Sequence, residues 1–155
     1  MGGLMEKYQD SRGGWLLSPP SGWNKFEGEP GAYDVKWQDL VSPAENIKVS
    51  STPVGSDIDS VLKLGGGIPV NELGEKLAKK RGAELVSSNE RLTEGITFYT
   101  FEFNIPSSSA HQILQLSVSK GKIWSVDANA VGSDRWTKRK EMYENVLNSF
   151  MPKLS

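Results

Sequence analysis

The sequence predicts an α+β domain in which antiparallel strands dominate and isolated helices pack on the sheet. Three observations carry this. "AYDVKWQDL" and "ENIKVSSTPV" alternate apolar and polar residues with period two, "PVNELGEKLAKKRG" is apolar at helical spacing, and four strand-like segments follow before a second amphipathic stretch. Strands in runs, broken by single helices, argue against the alternating βαβ pattern of a doubly wound fold. The 155 residues suffice for one core, and no linker or repeat divides them. Residues 1–12 are expected to be a flexible N-terminal tail, and residues 13–155 a single domain.

Gly13 to Ser18 reads as the first strand, stopped by Pro19 and Pro20, which donate no ladder hydrogen bond. Trp15 and Trp23 flank that turn, so each can cap one edge of the core and bury roughly 150–250 Å². Trp23 to Phe26 resumes extended structure before the loop "EGEPGAY". Tyr33, Val35 and Trp37 then share one face, against Asp34, Lys36 and Gln38, and Ile47 and Val49 point inward against Lys48 and Ser50. "GSDIDSVLKLGGGIP" is a polar, Gly-rich connection with one helical turn at Ile58 to Leu64. The helix that follows has Pro69 near N1, Val70, Leu73 and Leu77 on one face, Lys79, Lys80 and Arg81 in its last turn, and Gly82 as its stop.

Leu85 to Leu92 and Ile96 to Ile105 form a hairpin around Thr93-Glu94-Gly95. A second hairpin turns at Lys120-Gly121-Lys122, with Ile113, Leu116, Val118, Ile123 and Val126 as core positions. In the closing helix Ser133 is the expected N-cap, Trp136, Tyr143, Val146, Leu147 and Phe150 form the apolar stripe, and Pro152 ends it.

Several chemistries are excluded by composition. With Cys 0 there is no disulfide, thiolate nucleophile or Cys-zinc site. A net charge of -1 lacks the basic balance of a nucleic-acid binder, and no apolar run approaches the ~20 residues of a membrane span. Gly65 to Gly67 lack the Lys-Ser/Thr of a P-loop, and neither a G-x-S-x-G elbow nor an H-E-x-x-H helix occurs. Glu27, Glu29, Asp57 and Asp59 fall in loops without pairing as acid and base, so no enzyme is expected.

Two features remain as candidates. The single histidine, His111, opens a strand after a polar loop and reads as a strand-edge residue. With Asp127 or Asp134 it would instead make a weak divalent-metal site for calcium, zinc or manganese or a proton-linked site, and a concave pocket beside it would make the chain a metal- or small-ligand-binding module. "DRWTKRKE" concentrates Arg135, Lys138, Arg139 and Lys140 beside a Trp, either as a solvated helix face or as a dock for an acidic protein surface.

Taken in order, "GGWLLSPPSGWNK", "ENIKVSSTPV", "FYTFEF", "HQILQLSVSKGKIWSVDANA" and "DRWTKRKEMYENVLNSF" resemble the landmarks of the PsbP family across about residues 13 to 151. The resemblance implies an antiparallel sheet of about six strands sandwiched between helices. It also implies a noncatalytic accessory protein, peripheral to the thylakoid membrane in the lumen, that docks on photosystem core subunits or their assembly intermediates. The family includes the extrinsic subunit through which photosystem II, the oxygen-evolving complex, retains calcium and chloride. Other members act in assembly of photosystem I or with the chloroplast NDH complex. The same sandwich serves a nuclear transport factor that binds a small GTPase, so fold alone leaves the partner open. Ala110 stands where the family has a basic residue before its His, and Asp134 directly precedes Arg135 where the family's acid lies two before the Arg-Trp pair. His111 and Asp134 alone are carried over, as a candidate metal pair, while Arg135, Lys138, Arg139 and Lys140 stand as candidate docking residues on their charge.

Overall fold

The structure, a computed structural model, describes residues 5–29 and 31–153. Its strands are β1 (Tyr8–Asp10), β2 (Trp15–Leu17), β3 (Asn24–Glu29), β4 (Tyr33–Gln38), β5 (Asn46–Pro53), β6 (Glu84–Thr93), β7 (Ile96–Ile105), β8 (Ala110–Ser119) and β9 (Lys122–Val131). Its α-helices are α1 (Val70–Arg81), between β5 and β6, and α2 (Ser133–Asn148), after β9.

Seven of the strands form one antiparallel sheet in the order β3-β4-β5-β9-β8-β7-β6, while β1 and β2 pair separately. This corrects the expected count of about six. Asn24 to Glu29 pairs along β4 as an edge strand, and because every residue of β3 is exposed it carries no inward-outward alternation. Residues 8–10, expected in the tail, also form a strand. β1 pairs with β2, and Tyr8 packs on both Trp15 and Trp37, with ring centroids 5.5 and 5.3 Å away. Three residues are too few for a period-two pattern to show.

Side-chain alternation sends two sets of residues to opposite faces. On one, Trp15, Leu17, Val35, Trp37, Ile47, Val49, Phe98, Trp124 and Val126 meet Trp136, Tyr143, Val146 and Leu147 of α2, and Phe150 beyond it. On the other, Tyr99, Phe101, Phe103, Leu114, Leu116 and Val118 meet Leu73 and Ala78 of α1, and Val61. The sheet is thus sandwiched between helices. The inner strand β8, between β9 and β7, is buried continuously from Ile113 to Val118, with Gln115 and Ser117 enclosed.

Local chemistry sets the boundaries. Gly82 at φ 62° stops α1 in a left-handed cap, its N–H reaching the carbonyls of Ala78 and Lys79. Both long hairpins turn on two residues rather than three, Glu94-Gly95 at φ 51° and 80° and Lys120-Gly121 at φ 57° and 73°. The expected caps shift by one position. Pro69 is the N-cap of α1, and Gly132 rather than Ser133 is the N-cap of α2, with no side-chain hydrogen bond at either. The turn expected at Ile58 to Leu64 is a short 3₁₀ segment, Val61–Gly66, which Ser60 caps by accepting the Leu62 N–H. Trp23 and Ile123 are only partly buried.

Candidate docking site

The start of α2 and the loop from Asp39 to Glu45 are locked together by one carboxylate. The Asp39 N–H donates to the Glu45 carbonyl (3.0 Å), and the Glu45 N–H donates to that of Ser42 (2.9 Å). The Asp39 carboxylate accepts the N–H groups of Val41 (3.1 Å) and Ser42 (2.9 Å). This closure turns the Glu45 side chain inward, where only 2% of the residue stays exposed.

Arg135 meets it with a two-pronged grip, Nε to Oε2 at 2.7 Å and Nη2 to Oε1 at 2.8 Å. Arg139, one turn later, donates Nε to Oε1 at 2.5 Å and reaches Asp39 with Nη2 at 3.3 Å. Its guanidinium lies over the Trp23 ring, 5.2 Å from the centroid. The hydrogen bonds from Arg135, with those and the charge of Arg139, outweigh burial and hold the Glu45 carboxyl down at about 2. Lys140 pairs with Glu102 at 3.0 Å, which holds its ammonium above the usual lysine range.

The four candidate docking cations therefore separate. Arg139 is largely enclosed, whereas Arg135 and Lys140 are anchored on carboxylates with about two-fifths of each side chain exposed, at 41% and 42%. Lys138 is exposed and makes no ion pair among the described residues. The rigid loop beside them presents Leu40 and Val41 to solvent, at 65% and 87% exposure. An apolar pair on a closed loop that Arg135 and Arg139 hold from the start of α2 is a surface suited to noncovalent docking.

The histidine does not find its expected acids. His111 shares the α2 face and stacks on Trp136, with centroids 5.4 Å apart and an angle of 16°. Asp134 is exposed on the first turn of α2, and no hydrogen bond or ion pair joins it to His111 among the described residues. Asp127 lies opposite Leu114 on the α1 face, where it accepts hydrogen bonds from Gln112 (3.2 Å) and Asn129 (3.1 Å). Strand alternation alone keeps Asp127 and His111 on different sides of the sheet. Among the described residues no group of three or more His, Asp or Glu could hold a metal ion.

Glu45, Asp39 and Glu102 escape sequence reasoning because their partners lie 90, 100 and 38 positions away, and in a loop or mid-strand a carboxylate announces nothing. The one available signal is the count of cations in "DRWTKRKE" with no local acid spaced to neutralise them all.

Residues 3–151 match the PsbP family model, nearly the whole chain. The chain belongs to the PsbP family. Among curated proteins it is similar to CyanoP from Synechocystis, at 25% identity over 156 residues, covering 94% of this chain and 82% of that protein. The solution structure of Synechocystis CyanoP superposes with a TM-score of 0.76 at 23% identity, covering 97% and 93% of the two chains. The Saccharomyces cerevisiae Ran-binding protein Mog1p shares the fold at a TM-score of 0.61 and 10% identity, over 96% and 95%. Membership of the PsbP family and likeness to CyanoP support a photosystem-related accessory role, and no helix among the described residues is long and apolar enough to cross a membrane.

Proposed function

We propose that this chain is a noncatalytic accessory or assembly factor on the lumenal side of photosynthetic membranes, with photosystem II as its partner. The observation that carries the reading is the family match across residues 3–151. The docking face is the start of α2 with the 39–45 loop: Leu40 and Val41 enter an apolar depression on a core subunit, while Arg135, Lys138 and Lys140 meet acidic loops around it. The Glu45 clamp fixes the loop before binding, so little ordering entropy is lost on association.

The test is a pull-down of the tagged protein from solubilised thylakoids at low and high salt, with captured subunits identified by mass spectrometry. Recovery of photosystem II core or its assembly intermediates, diminished as salt screens the exposed cations, is the expected result. Recovery of photosystem I or NDH subunits keeps the docking mode and replaces the partner, whereas capture indifferent to salt removes the electrostatic part.

A further inference from the structure

A second polar feature lies between β6, β7 and the C-terminal half of α2, sharing Glu102 with the Lys140 pair described above. There a cleft of about 270 Å³ is lined by Arg91, Thr100, Asn145 and Asn148, among others. Arg91 occupies an unusual position for a charged residue. Its Nη1 donates to Thr93 Oγ1 at 2.6 Å and its guanidinium carbon sits 4.2 Å from the Phe98 ring centroid. The remaining edge, Nε and Nη2, is buried and has no hydrogen-bond partner. A buried polar atom without a partner forfeits its hydration with nothing in return, and here two donors do so together.

Those two N–H groups are the parallel pair with which arginine grips a carboxylate side-on. Elsewhere in this molecule the same pair of atoms, on Arg135, is filled by Glu45. On Arg91 no protein group fills it, and burial pushes the guanidinium below the usual arginine range.

The rest of the cleft narrows its chemistry. Asn145, Asn148 and Thr100 offer neutral donors and acceptors, while Glu90, Glu144 and Glu102, the last already paired with Lys140, also line the walls and disfavour a multiply charged anion such as phosphate more than a singly charged one. Glu144, Asn145 and Asn148, which line the cleft from α2, are exposed, so the cleft opens to solvent on that side. We propose that this cleft binds a small organic carboxylate whose two oxygens accept the Nε–H and Nη2–H of Arg91.

The test follows the arginine Nε–H resonances by two-dimensional NMR during titration with sodium acetate, sodium chloride holding the ionic strength constant. The expected result is a saturable shift of one resonance, absent in Arg91→Met, which replaces an unsatisfied buried charge with an apolar side chain of similar length and is expected to fold. Arg91→Lys serves in its place if that variant does not fold. It keeps the charge without the fork, and acetate binding to it, read from backbone amides of β6 and α2, is expected to weaken about tenfold or more. A shift that chloride reproduces, that never saturates, or that backbone amides still report in Arg91→Met overturns the site. Tighter binding of inorganic phosphate than of acetate overturns the carboxylate assignment.

Discussion

Replacing Glu45 with Gln removes the charge that joins Asp39–Glu45 to α2 while keeping the side chain's shape and one acceptor oxygen. In the folded protein the carboxyl titrates at about 2 against an ordinary 4.5. A depressed carboxylate pKa means stability that is present above the unfolded value and lost as pH falls toward the folded one. That difference corresponds to about 3 kcal/mol at neutral pH, of which about 2 kcal/mol is gone by pH 3. The half-exposed Arg135 screens part of this, so Glu45→Gln is expected to lose roughly 2–3 kcal/mol at pH 7, within the range for breaking a buried pair. Near pH 3 the gap between the variant and the parent should shrink to about 1 kcal/mol, because the carboxyl of the unfolded chain is then protonated and only the last part of the pKa difference, between pH 3 and the folded value of about 2, still stabilises the parent. Urea unfolding followed by tryptophan fluorescence reads both values, since Trp23 and Trp136 flank the clamp. A loss below about 0.5 kcal/mol at pH 7, or an equal loss at both pH values, refutes the assignment of Glu45 as the electrostatic clamp.

Other expectations follow from the same geometry. Gly74→Ala should destabilise by about 1–2 kcal/mol despite alanine's helix propensity, because a Cβ would sit 2.8 Å from Phe101 and 2.9 Å from Leu85, and thermal unfolding will show the sign. Trp15→Ala, at 1% exposure among Tyr8, Trp37 and Phe150, should lower stability by about 3–5 kcal/mol in urea unfolding. Burial pushes the Asp127 carboxyl up, so its ionised form opposes folding as pH rises. Asp127→Asn should therefore raise the melting temperature at pH 7 and confer no such gain at pH 3. Leu40→Asp with Val41→Asp should leave stability within about 0.5 kcal/mol of the parent and abolish capture of the photosystem partner, measured by denaturation and pull-down in parallel.

What the sequence made legible is what repeats locally. Val35, Trp37, Ile47 and Val49 face the core as their alternation requires, and Trp136, Tyr143, Val146 and Leu147 line the buried face of α2 at helical spacing. Tyr8 to Asp10 was hidden because its pairing depends on Trp15 and Leu17 rather than on any pattern of its own. β3 runs three residues beyond the extended stretch expected to end at Phe26, since an exposed edge strand has no buried side to declare its length.

The site was less legible for a related reason. Arg135, Lys138, Arg139 and Lys140 are adjacent in sequence, but which of them stays available depends on Glu45, Asp39 and Glu102, brought in by the sheet from distant segments. His111 and Asp127 looked like partners by residue type, while one-residue parity on paired strands separates them by the thickness of the sheet. Arg91 gave no sign at all. In "SSNERLTEG" it reads as a solvated cation, and only the fold shows that its fork is enclosed.

The docking proposed above places the start of α2 and the 39–45 loop on the lumenal face of photosystem II. The most direct measurement is co-sedimentation of the purified chain with photosystem II membranes whose lumenal surface is exposed, across a protein titration at low and high salt, beside the Leu40→Asp, Val41→Asp variant. Saturable binding that weakens with salt and is lost in the variant is the predicted result. Binding that never saturates, or that the variant retains in full, contradicts it.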